Sequence, residues 1–179
     1  ASPAPVSRPA GALFVAGQAA LPISLPLRFM VFGLISLLTG MLTLTVFPNL
    51  LATYHYNQHI ISVTHMFTLG FITSVIMGAT YQLVPVALET RLHSPRLAQW
   101  QFAFHLVGAA GMVWMFWKWN LAGVGHFGTV LSVGVALFAY NIVRTLRTVP
   151  RWNVVATAIA SSVTWLSLTV LAGLAIAAA

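Results

Sequence analysis

The chain has no cysteine and one acidic residue, Glu89, in 179 positions. The missing cysteines rule out disulfides, thiolate metal sites and covalent c-type heme attachment. Charged residues make up 5% of the sequence, against about 25% in soluble domains. No Asp, Glu, Lys or Arg falls in the middle of an apolar run, so neither a carboxylate proton relay nor an ion-coupled transport site is expected. The chain instead is 59% hydrophobic, with a mean hydropathy of +0.92. A soluble protein this apolar could not cover its own surface, whereas lipid demands no polar coat.

The formal net charge of +7 suggests nucleic acid at first sight. Its placement argues otherwise. Arg8, Arg28, Arg91, Arg96, Lys118, Arg144, Arg147 and Arg151 stand singly or in small groups between apolar runs. They read as topology determinants, and no nucleic-acid partner is expected.

Residues 1 to 26 are rich in Pro, Ala and Gly and read as a cytoplasmic or interfacial lead-in. The start at Ala1 is read as removal of an initiator methionine before a small residue. Residues 27 to 179 read as one all-α membrane domain of about five spans. These run about Leu27 to Phe47, Ile60 to Val84, Leu97 to Trp117, Leu121 to Ile142 and Val154 to Ile176. Pro48-Asn49 ends the first and Pro85 the second. Five spans put seven arginines on the first side and only Lys118 opposite, which predicts a cytoplasmic N-terminus. Trp100 and Trp152 then belong to the inner interface, and Trp114, Trp117 and Trp119 to the outer. The sequence ends on the apolar run Leu171 to Ala179, as expected for a very small protein or for the front of a longer one.

The histidines are the candidate chemical groups. His55 and His59 fall in the outer loop, His65 a turn into the second span, and His126 near the outer start of the fourth. His105 belongs to the inner half and His93 to an inner loop. Imidazole is a common heme, copper and zinc ligand, and a helical bundle holds cofactors between facing helices. The competing reading is that each ring is hydrogen-bonded to a neighbouring backbone or hydroxyl group. Gly70, Ser74 and Gly78 form a small-residue stripe that admits either a flat cofactor or another helix. Three glycines also surround His126 in Gly123-Val-Gly-His-Phe-Gly128.

The segment Val63-Thr-His-Met-Phe-Thr-Leu-Gly-Phe-Ile-Thr-Ser-Val-Ile-Met-Gly-Ala-Thr-Tyr-Gln-Leu-Val-Pro-Val86 resembles the second helix of heme-copper oxidase subunit I. The branch it most resembles holds the C-type cytochrome oxidases and nitric oxide reductases. The resemblance covers about 25 residues, including the ending Gly78-Ala79-Thr80-Tyr81-Gln82-Leu83-Val84-Pro85. It implies that His65 is an axial ligand of a low-spin heme b, with His126, His59 or a partner subunit supplying the other. The family's remaining ligands come from late helices that these 179 residues do not contain. No complete copper site, no catalytic residue and no activity of the chain alone are therefore expected. What the resemblance implies is a subunit of an oxidase-type complex in the inner (cytoplasmic) membrane, passing electrons among other membrane subunits and a cytochrome c-type donor. The alternative is a cofactor-free scaffold subunit.

Overall fold

A computed structural model describes residues 23–178; most of the lead-in lies outside them. Five long helices follow one another: α1 (Ser24–Val46), α2 (Gln58–Ala87), α3 (Pro95–Trp117), α4 (Leu121–Leu146) and α5 (Val154–Ala178). A 3-10 turn, Pro48–Ala52, closes α1. The first helix starts earlier than expected, because Ser24, Leu25 and Pro26 already belong to α1. Pro85 sits inside α2, and the helix runs on to Ala87. Near a helix C-terminus a proline forfeits only one late hydrogen bond.

Amide and hydroxyl side chains set the helix starts. Asn57, Ser94 and Asn120 accept hydrogen bonds from the backbone N–H groups of His59, Leu97 and Gly123. Asn153 accepts one from Ala156. Each satisfies a donor that the first turn leaves orphaned. At the far end of α2, Glu89 adopts φ 47° while Thr90 N–H reaches back to Pro85 O (3.0 Å). That is a left-handed helix stop built without glycine.

Successive helices run antiparallel. Gln58 and Ser62 on α2 donate to Trp117 O and Val113 O on α3. Further along, Ser74 and Met77 meet His105 and Gln101. On the next interface, Gly108 lies against Leu131 and Ser94 bonds Asn141. The connection after α2 is fastened to the end of α4: Asn141 both accepts from Ser94 N–H (3.0 Å) and donates to Ser94 O (2.9 Å), while His93 N–H donates to Thr145 Oγ1 (3.0 Å). Arg28, Arg91, Arg96, Arg144, Arg147 and Arg151 therefore share one end of the bundle, and Lys118 lies at the other.

Four of the five helices are long and apolar enough to cross a membrane: α1, α2, α4 and α5. The fold is an all-α membrane bundle. The third helix, expected to be an apolar span like the others, carries Arg96, Gln99, Gln101 and His105 in its first half. It stands between α2 and α4, so Gln101 and His105 are fully buried against protein. Polar side chains at membrane depth are tolerated in that setting.

The largest buried side chains gather toward the arginine end. Phe29, Tyr81 and Phe138 stack around Met77, Ile142 and Leu146. Beside them α5 packs chiefly on α4, with Ala156 and Val163 buried, and its remaining described faces are largely exposed.

Candidate functional site

Immediately after His65 the helix changes its hydrogen-bonding frame. Met66–Thr73 is π-helical. The hydroxyls of Thr73 and Ser74 follow that wider frame, donating to the carbonyls five residues back, Thr68 O (2.8 Å) and Leu69 O (3.3 Å). A π segment is rare and is frequently found at functional sites.

His65 is half-buried on the Lys118 half of the bundle. Its Nδ1 lies 2.7 Å from Ile61 O, and its ring packs on Phe116 of α3 at 4.5 Å between centroids. A carbonyl can only accept, so Nδ1 carries the proton and Nε2 keeps its lone pair. A backbone-held Nδ1–H fixes both tautomer and ring orientation for a ligand that binds at Nε2. That bond is the backbone partner of the competing reading, and it leaves Nε2 open to a ligand. His126 has the same arrangement, with Nδ1 2.6 Å from Ala122 O, but its side chain is exposed on α4. His65 and His126 lie on the helices either side of α3. His59 lies in the first turn of α2, its ring edge-on to Trp117 at 4.3 Å. Among the described residues, no group of three or more His, Cys, Asp or Glu side chains is placed to hold a metal ion together.

Of the small-residue stripe, Gly70 and Gly78 serve helix packing. A Cβ on Gly70 would lie 2.5 Å from Ser36 Oγ, and one on Gly78 would lie 2.8 Å from Phe29 Cβ. Both approaches belong to α1. Gly125 and Gly128, which flank His126, face open space instead.

His105 is a core residue, with its Nε2 2.9 Å from Ser74 Oγ and its ring between Phe29 and Phe32. Its Nδ1, Gln101 Oε1 and Tyr81 Oη are buried without a hydrogen-bond partner among the described residues. The Gln101 amide nitrogen is spent on Met77 Sδ (3.1 Å). The sequence reading singled out neither Gln101 nor Asn141. The signal was there: Asn141 is the lone amide of its apolar stretch and Gln101 stands two residues after Gln99 in another, and an amide at membrane depth needs a partner. His93 is exposed beside Tyr140, and His55 meets Tyr54 tilted and Tyr56 edge-on in the loop before α2.

Comparison with protein-family models, with curated proteins and with solved structures finds no match.

Proposed function

We propose that the chain is a heme-b-binding subunit of a membrane electron-transfer complex, with His65 as one axial ligand. The observation that carries this reading is the tautomer lock at His65. A 2.7 Å bond to Ile61 O presents a free Nε2 at the mouth of a π-helical turn. The local match of Val63 to Val86 to the second helix of oxidase subunit I agrees with it. Bound there, a heme b supplies a one-electron couple whose potential is set by its axial ligands and by burial. The chain's own residues hold the imidazole, wall it with Phe116 and fix the helix against α1 through Gly70. His126, with the same free Nε2, is the candidate for a second iron ligand within a chain or between chains.

This reading places the complex in the inner membrane with the arginine end cytoplasmic. Other membrane subunits would cover the exposed faces. The Tyr54-His55-Tyr56 cluster at the opposite end is the candidate contact for a cytochrome c-type donor.

The test is a dithionite-reduced minus oxidised spectrum of the detergent-purified chain with pyridine hemochrome quantitation. The expected result is a b-type α-band with about one heme per chain that is lost in His65→Ala. A full Soret band in His65→Ala would overturn the assignment. A colourless wild type would favour a cofactor-free scaffold, a reading supported by the use of Gly70 and Gly78 for packing and by the exposure of α5.

A further inference from the structure

Between α2 and α5 the bundle leaves a wedge of about 530 Å³. Ile76, Met77 and Thr80 form one wall, and Val155, Ala158 and Ile159 begin the other. The wall hydroxyls are used inside their own helices. Thr73 donates to Thr68 O, Thr80 to Ile76 O and Ser162 to Ala158 O. The wedge therefore offers methyl and methylene surface and no free hydroxyl hydrogen to an occupant.

Its size and position narrow that occupant. The wedge follows α5 from Val154 to Leu166, a rise of about 18 Å. One hydrocarbon chain suits a slot of this kind. The mouth lies at the first turn of α5, directly after Arg151 and Trp152. Arg144, Arg147 and Arg151 are all exposed on the end of α4 and the connection that follows. Six arginines share this end of the described chain, and Glu89 is the one acid in the sequence. The excess positive charge calls for an anion at headgroup level. Basic pockets between membrane helices bind acidic lipid headgroups for this reason.

We infer that the α2–α5 wedge is a binding site for an anionic phospholipid, one acyl chain lying along Ala158 and Ile76 and the phosphate resting on Arg147 and Arg151. The site is independent of the histidines and of the heme reading.

Native mass spectrometry of the full chain, with equal amounts of phosphatidylglycerol and phosphatidylcholine in the micelle, tests it. The expected result is one phosphatidylglycerol retained per chain, at least tenfold over phosphatidylcholine. Arg147→Gln with Arg151→Gln should abolish that preference. Ala158→Trp, at an exposed position inside the wedge, should abolish retention of both lipids. Far-UV circular dichroism and size-exclusion elution should stay unchanged in both variants, which separates loss of the site from loss of the fold. Equal retention of the two lipids, or retention that survives Ala158→Trp, would overturn the proposal. So would a wild-type dimer that Ala158→Trp converts to monomer, since the occupant would then be a second copy of the chain.

Discussion

Asn141 spends its whole amide on one neighbour, Ser94, which is also the cap of α3. The groups it satisfies are the backbone N–H and C=O of Ser94, in a part-buried connection. Asn141→Leu should cost about 1–3 kcal/mol by leaving a backbone N–H and a C=O without partners. A lowered thermal midpoint in detergent, with the helix content of the folded state unchanged, is the measurement. Glu89 works in the opposite direction. It holds a left-handed backbone that disfavours side chains by roughly 1–2 kcal/mol. Glu89→Gly should therefore raise stability by about 1 kcal/mol. A thermal midpoint that falls instead would mean that the carboxylate makes an interaction worth more than the strain. Neither role follows from residue type alone, because each depends on which helix end the residue meets.

At the scale of the element, the glycines separate into two sets. Gly70 is closed in by Ser36, so Gly70→Val must push α1 and α2 apart and should cost about 1–3 kcal/mol. Gly125 has open space at its Cβ, and Gly125→Ala should be neutral or stabilising by up to about 1 kcal/mol through helix propensity. Chemical denaturation of the two variants side by side checks the contrast. Both glycines look alike in an apolar run, and only the packing tells them apart. The helices themselves were legible, because long apolar runs, prolines and Asn or Ser caps mark their ends. The π turn was not. Met66–Thr73 is simply an apolar part of the span, and a shift from four-residue to five-residue bonding has no residue signature of its own. His65 was legible as a candidate from its depth and its surrounding motif. Its backbone hydrogen bond was the competing reading from sequence, and a bond to the carbonyl four residues back is open to any helical histidine. The fates of His105 and Gly70 needed the facing helices, Ser74 in one case and Ser36 in the other.

For the whole molecule, the separation of Lys118 from six described arginines gives the bundle a charge axis. The positive-inside bias predicts that the arginine end faces the cytoplasm. The absence of native cysteine makes this directly testable. Tyr56→Cys should react with a membrane-impermeant maleimide added to intact cells, and Trp152→Cys should react only after the membrane is opened. Reversed labelling would invert the topology. The position of α3 has a further consequence, for biogenesis. A helix with Gln99, Gln101 and His105 in its first half partitions poorly into lipid by itself. Gln101 and His105 are buried in the bundle, with their polar partners Met77 and Ser74 on α2. During synthesis α3 is therefore expected to enter the bilayer together with α2, which carries Ser74 and Met77, rather than alone.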